Sequence, residues 1–243
     1  MPATDRPSER RGAARTAVVW ESLRPVLDGG SAGALDVLDI GGGTGGLAVR
    51  VAELGHRVTV VDPSPDALAA LGRRAREQGV EVAGQQGELS TLLDVAGPDA
   101  ADVVLCHGVL EVVDDPAAAL ATLGEVLRPG GTLSLVVAQR HAAVVARAVA
   151  GHFQQALALL DDTSPTGRAG RRYTRDELAD LLAAAGLETT RVHGVRVFAD
   201  LVPGSLLDLE PGATAALVEL EHAVAERPEY LPLATQLHVL ATR

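Results

Sequence analysis

Two carboxylates and a run of glycines carry the chemistry this chain could do. Asp39 stands just before a turn in which Gly41, Gly42, Gly43, Gly45 and Gly46 fall within six residues. A short apolar run (Val37, Leu38, Ile40) leads into that turn, a helical pattern follows it, and a second run (Val58, Thr59, Val60, Val61) closes on Asp62. The order predicts strand, glycine turn, helix, strand: one βαβ unit with its crevice at the carboxyl ends of the strands. Glycines at such a turn admit positive φ and let backbone approach a ligand. An acid ending the second strand can accept hydrogen bonds from both hydroxyls of a ribose. Gly41, Gly43 and Gly46 also satisfy the dinucleotide pattern G-x-G-x-x-G, so a nicotinamide-dependent oxidoreductase is one alternative, and a non-catalytic nucleoside-binding domain is another.

No Ser-His-Asp constellation is evident, and the seven histidines are scattered without zinc-ligand spacing. The single Cys106 excludes an internal disulfide and reads as a small core residue. Asp114-Asp115 and Asp161-Asp162 read as turn or helix-end acids and not as a metal pair. No metal site is expected.

The elements that must position these groups follow from the rest of the chain. At 243 residues the length suits one domain with a sizeable core. Residues 1–13, polar and Arg-rich with Pro2 and Pro7, read as a mobile arm; residues 14–28 have helical periodicity, with Trp20 a core staple and Pro25 reshaping the last turns. Pro63 and Pro65 open a helix that Gly79 ends, Val80–Gln86 is a third strand, and GELSTLL a short helix. Ala101–Cys106 is a fourth strand, about 115–127 a helix with Pro116 in its first turn, and Thr132–Ala138 a fifth strand after an RPGG turn. A helix over His141–Leu160 and a polar loop with Arg168, Arg171 and Arg172 follow. Thr174 and Glu177 then form a capping box at the start of a helix ended by Gly186. Strand-like residues 189–198, a helix over about 213–226 and a terminal strand at 236–241 complete the chain. The alternation predicts an α/β, doubly wound, mostly parallel sheet with right-handed crossovers, the glycine turn lying at the topological switch point.

The net charge of −11 argues against whole-molecule attraction to a polyanion, and 2% aromatic residues leave few platforms for stacked bases. Any nucleic-acid substrate would need a local basic patch. No apolar run has membrane-spanning length and the N-terminus lacks an apolar signal core, so a cytoplasmic protein without membrane contact is expected.

In full context LDIGGGTGG resembles motif I of the class I S-adenosylmethionine-dependent methyltransferases. DVVLCHGVLEVVDDP resembles that family's fourth strand and following turn, and LRPGGTLSLV its fifth strand. These segments span roughly residues 36–138. The resemblance implies a Rossmann-like, seven-stranded sheet with an antiparallel last strand, and S-adenosyl-L-methionine as cofactor. A narrower likeness runs over nearly the whole chain: RTAVVWESLRPVL, AVAGHF, GVRVF and LVELEHAVAERPEYLPLATQLHVLATR are similar to the tRNA 5-carboxymethoxyuridine methyltransferases, which esterify a modified wobble uridine.

By that resemblance the chain has a cap helix within 1–33, a cofactor core at 34–138, a lid insertion at 139–173 and a substrate-side portion at 174–243. The implied cofactor site is Arg15, Asp39, Gly41, Gly42, Gly43, Gly45, Asp62, Pro63, Glu88, Leu89 and His107. Arg15 would reach the cofactor's carboxylate, Asp39 its methionine end, Asp62 the ribose and Glu88-Leu89 the adenine. Arg196, with Arg168, Arg171 and Arg172, would grip an anionic acceptor. Catalysis would come from orientation without an acid/base residue. Two departures are plain: Val112 follows Glu111 where that family has Trp, and its lysine-rich lid is here an arginine cluster. The implied acceptor is tRNA, with a small-molecule carboxylate, or other O- or N-methyl acceptor, as the alternative.

Overall fold

The computed structural model describes residues 7–29, 33–162, 170–208 and 212–243, with side chains from residue 16 onward except at 204 and 208. Seven strands form one sheet: β1 (Asp36–Ile40), β2 (Arg57–Asp62), β3 (Val82–Gln86), β4 (Ala101–His107), β5 (Leu127–Ala138), β6 (Glu188–Val195) and β7 (Gln236–Thr242). Their order is β3-β2-β1-β4-β5-β7-β6. All neighbours are parallel up to β5, and β7 runs antiparallel to both β5 and β6. The chain therefore winds outward in opposite directions from the β1–β4 pair, and the glycine turn leaves β1 at that switch point. The expected architecture is the observed one.

Apolar runs build the central strands because both sheet faces are covered. On one face Cys106, Leu133 and Leu135 meet Leu120 and Leu123 of α5 (Pro116–Val126) and Leu178 and Leu182 of α8 (Arg175–Ala184). On the other, Leu105 and Val60 meet Leu23 of α1 (Pro7–Asp28), Val49 of α2 (Gly46–Glu53) and Leu71 of α3 (Pro65–Gln78). The local signals act as their chemistry demands. Ser64 accepts from the Ala67 amide ahead of Pro65, Asp115 accepts from the amides of Ala117 and Ala118 ahead of Pro116, and Gly79 takes a left-handed φ of 69° to end α3.

Three local expectations are corrected. α1 starts at Pro7, so residues 7–13 are helical and not part of an arm; proline at a first helical position already lacks the amide that would go unpaired. Residues 1–6 lie outside the description. The single helix expected over 141–160 is two, α6 (Arg140–Val149) and α7 (Phe153–Leu159), because Gly151 turns left-handed at φ 76°. β6 ends at Val195 and not at 198, where Arg196 takes φ 57° and buried Glu221 of α9 (Ala213–Val224) accepts from the amides of Val197, Phe198 and Ala199.

The segment between β5 and α8 is closed at its base. Gln139 bridges Tyr173, the Arg140 amide donates to the Tyr173 carbonyl and the Tyr173 amide to Ala138. Buried Arg140 donates from Nη2 to both Glu177 oxygens, at 2.6 and 2.8 Å, while Glu177 also completes the capping box with Thr174. Removing that carboxylate strands a buried guanidinium and a helix cap together. Glu177→Ala is expected to cost about 2 kcal/mol in urea unfolding and to raise proteolytic cutting between residues 140 and 174 more than elsewhere.

Candidate active site

The turn after β1 is shaped by what lies against it. Gly41 has φ 68° and donates its amide to Val61 at 2.8 Å, and a Cβ there would run into the Val109 side chain. At Gly42 a Cβ would run into the Asp39 carboxylate. The Gly43 amide donates to Asp62 Oδ2 and the Ser64 amide to Asp62 Oδ1, each at 2.9 Å. Asp62 thus orients the turn with one lone pair on each oxygen and retains the other for a ligand's hydroxyls. Gly45, left-handed at φ 74°, opens α2.

Asp39 is 4% exposed, and burial, reinforced by the nearby Asp62 charge, pushes its carboxyl up to about 7. Among the described side chains no arginine is among the groups acting on it. A buried carboxyl in this state either stays protonated or, when ionised, favours a cationic group beside it.

Gly41 separates two cavities. One, of about 350 Å³, is lined by Asp39, Gly42 and His107 together with Thr16 and Val19 of α1. The other, of about 660 Å³, is lined by Asp62, Pro63, Glu88 and Leu89 and, across from them, by Val109, Val112 and Val113. Most of the sequence-predicted cofactor residues therefore gather on one crevice: a small chamber with one deep carboxylate, and a larger one with aliphatic walls and four carboxylates, Asp62, Glu88, Asp114 and Asp115, on its lining. The first could hold an amino-acid end that carries positive charge, the second a nucleoside. Thr16 and Val19 were not foreseen as lining residues; their place follows only from how α1 lies across the sheet. Val109 and Val113 were within the motif but gave no polar signal.

The turn after β4 is held from three sides. The Gly108 amide donates to Val136, the Ala138 amide donates to buried Glu111 Oε1, and the Arg171 amide donates to the Glu111 carbonyl. Tyr173 donates its hydroxyl to the Leu110 carbonyl, and burial pushes that phenol up to about 12. Cys106 is fully buried with its thiol raised far above the usual range by burial, so it is a core residue and no nucleophile. His107, half-buried, is 2.9 Å from Ser134 Oγ through Nε2. Glu111 was not singled out from sequence, although a buried acid in an otherwise apolar turn is such a signal.

The arginines divide. Arg171 donates to the Val113 carbonyl, which brings it to the rim of the larger cavity, and Arg172 offers its carbonyl to Arg140. Arg196 is part-buried at the carboxyl edge of β6 and lies 3.5 Å from Asp200. The Arg15 side chain and Arg168 lie outside the described residues. Among those residues no group of histidines, cysteines or acids is arranged to hold a metal ion.

A family model described as a methyltransferase domain matches residues 9–192. The chain is 33% identical over 242 residues to the tRNA 5-carboxymethoxyuridine methyltransferase of Escherichia coli, covering 96% of this chain and 89% of that protein. It is 33% identical over 166 residues to a ubiquinone biosynthesis O-methyltransferase of Xanthomonas euvesicatoria, covering 65% of each. Among solved structures, a magnesium protoporphyrin IX methyltransferase from Synechocystis PCC 6803 superposes with a TM-score of 0.67 at 16% identity, covering all of this chain and 90% of that one.

The state of Asp39 gives a stability test that needs no ligand. Because its folded-state pKa lies above the usual 3.8, the unfolded chain ionises first, and stability falls as pH rises from about 4 to 7 and then levels. Asp39→Asn removes this penalty. The ligand-free variant should be more stable than wild type at pH 8, by at most about 4 kcal/mol, with the gain shrinking as pH falls below 7; thermal melts across pH measure it, and a pH-independent difference would refute the assignment.

Proposed function

The chain belongs to the class I S-adenosylmethionine-dependent methyltransferases, and from that premise we propose that it methylates the carboxylate of 5-carboxymethoxyuridine at the wobble position of tRNA. S-adenosylmethionine supplies an electrophilic methyl group on a positively charged sulfur. The residues present suit it. Asp39, a buried carboxyl with no described cation beside it, would face the cationic methionine end; Asp62 would accept from the ribose; Gly41, Gly42, Gly43 and Gly45 would admit the close approach; Pro63, Glu88 and Leu89 would border the adenine; Arg15 would reach the cofactor's carboxylate. A carboxylate acceptor is already nucleophilic at neutral pH, so the site must orient it and needs no strong base. In this reading residues 139–173 act as a lid over one catalytic domain that works in the cytoplasm, and Arg196 with Arg168, Arg171 and Arg172 meets the acceptor's anionic groups.

One observation carries the tRNA assignment: similarity to the Escherichia coli enzyme extends over 96% of the chain, including α1 and the C-terminal elements. A second reading, methylation of a small-molecule acceptor, is favoured by the ubiquinone-enzyme relatives, the net charge of −11 and the scarcity of aromatics. Mass spectrometry of tRNA nucleosides from the host with and without the gene separates the two. Loss of a methyl ester at the wobble uridine, restored by purified protein and S-adenosylmethionine, is the outcome expected. An unchanged nucleoside profile with S-adenosylhomocysteine still bound would favour the second reading.

Arg196→Ala gives the finer test. With tRNA bearing the unmethylated carboxylate, kcat/KM should fall at least roughly tenfold, the loss of one charge-assisted hydrogen bond. Calorimetric affinity for S-adenosylhomocysteine should stay unchanged; equal loss of both would make Arg196 structural.

A further inference from the structure

Four polar side chains form an unbroken buried line from the smaller cavity to the N-terminal helix. His107 Nε2 is 2.9 Å from Ser134 Oγ, which is 2.8 Å from His238 Nε2. His238 Nδ1 is 2.8 Å from Ser22 Oγ, and Ser22 donates to the Val19 carbonyl at 3.0 Å. Ser134 and His238 are fully buried and Ser22 is 8% exposed. The line crosses β4, β5 and β7 on the sheet face that α1 covers, and Val19 also lines the cavity that His107 lines.

Its direction is fixed by its last member. A carbonyl can only accept, so the one Ser22 proton points to Val19 and Ser22 Oγ accepts from His238 Nδ1–H. A neutral His238 then offers Nε2 as an acceptor, which takes the one proton of Ser134. Ser134 Oγ in turn accepts from His107 Nε2–H. Full burial of His238, with a hydroxyl on each ring nitrogen and the His193 ring stacked on it at 5.4 Å, favours the neutral form. His107 Nε2 is a donor whether its ring is neutral or charged, so its charge can change only at Nδ1.

We propose that Ser134 and His238 are positioning residues that lock His107 in this form, so that the His107 imidazolium donates from Nδ1 to the acceptor's carboxylate. The proposal rests on the carboxylate reading above. In the step, a lone pair of the other carboxylate oxygen forms the O–CH₃ bond, the electrons of the broken C–S bond stay on sulfur, and no proton moves. The charged and titratable groups facing His107 among the described residues include Asp39 from β1, which shares the cavity, and His238 from β7, ring centroids 5.9 Å apart. Behind His238 stands His193 of β6 with Glu226. The cavity neighbours from α1 and α2 (Thr16, Val19, Gly46, Leu47) are uncharged.

The test begins without any acceptor. In protein labelled with ¹⁵N-histidine, with His107→Gln giving the assignment, long-range ¹H–¹⁵N spectra from about pH 5.5 to about pH 8.5 should show neutral His107 protonated at Nε2 alone. Ser134→Ala should mix the two tautomers and Ser134→Thr should restore one. A wild-type ring protonated at Nδ1, or a tautomer indifferent to Ser134→Ala, would overturn the proposal. With tRNA carrying the unmethylated carboxylate, kcat should fall as pH rises through the His107 titration. Ser134→Ala should lower kcat roughly tenfold and displace that limb, with KM for S-adenosylmethionine unchanged and activity recovered in Ser134→Thr. Activity that climbs with pH while the tautomer holds would overturn the imidazolium role and leave the carboxylate reading standing. Inactivity toward tRNA with the tautomer intact would overturn the acceptor alone.

Discussion

Everything at the carboxyl edge of the sheet depends on two carboxylates buried at the ends of neighbouring strands with a peptide turn threaded between them. Asp39 lies one residue short of the end of β1 and Asp62 ends β2; the turn must clear the first and donate to the second. A Cβ at Gly42 would strike the Asp39 carboxylate, one at Gly41 Val109 and one at Gly45 Leu71, and Gly41, Gly43 and Gly45 are left-handed, which is why glycines crowd there. The opposite edge shows how the same residue type is handled when no ligand is involved. There Arg128 bridges Asp36 and Asp102 at 2.9 and 2.8 Å, and Arg57 beside Asp36 holds that carboxyl below its usual range. One edge neutralises its acids internally. At the other, no described arginine acts on Asp39, a destabilised carboxyl held by the rigid strands around it.

From that constraint the rest of the crevice follows as one mechanical unit. The turn after β4 forms the wall facing Asp62, and it is tied to β5 by Gly108 and Glu111 and to the returning chain by Arg171 and Tyr173. Of the residues that close the base of the insertion, Tyr173 bonds directly to this turn, Arg140 reaches it through Tyr173, and Glu177 through Arg140. α1 is joined to the same region from the other face, through Ser22, His238 and Ser134 to His107. A displacement of either cover would be felt at the residues that line the two cavities.

Much of this was legible in the sequence, and the reason is that its signals were local. The βαβ unit, the proline-marked starts of α3 and α5, the Thr174 cap and the apolar runs of β1 and β4 each declare themselves within a few residues. Asp39, Asp62 and the glycines could be placed because strand, turn and strand fix where their side chains must go. What stayed hidden needed distant pairing. Nothing near Ser134 announces that it joins two histidines, because His107 and His238 are brought beside it only by parallel and antiparallel register. The Arg140–Glu177 clasp likewise spans 37 positions. The break at Gly151 is local, a left-handed glycine inside a stretch read from sequence as one helix.

The arginines show why cofactor chemistry reads out more clearly than acceptor chemistry. A guanidinium serves a substrate only if its present partner can be exchanged at small cost. Arg140, buried and bidentate on Glu177, cannot be: separating that pair would leave an uncompensated charge in the interior. Arg196 and Asp200 lie 3.5 Å apart with about a quarter of each side chain exposed, and Asp200 already accepts from Thr235. A loose, partly solvated pair of this kind is worth little, so an anionic group entering beside β6 could take the guanidinium while Thr235 keeps Asp200 satisfied. Arg171 stands between these limits, since the carbonyl it binds is neutral and replaceable but its backbone is fixed on Glu111. Sequence spacing assigns the same residue type to all three positions; the strength of the existing partner is what separates a clamp of the fold from a candidate grip on the substrate.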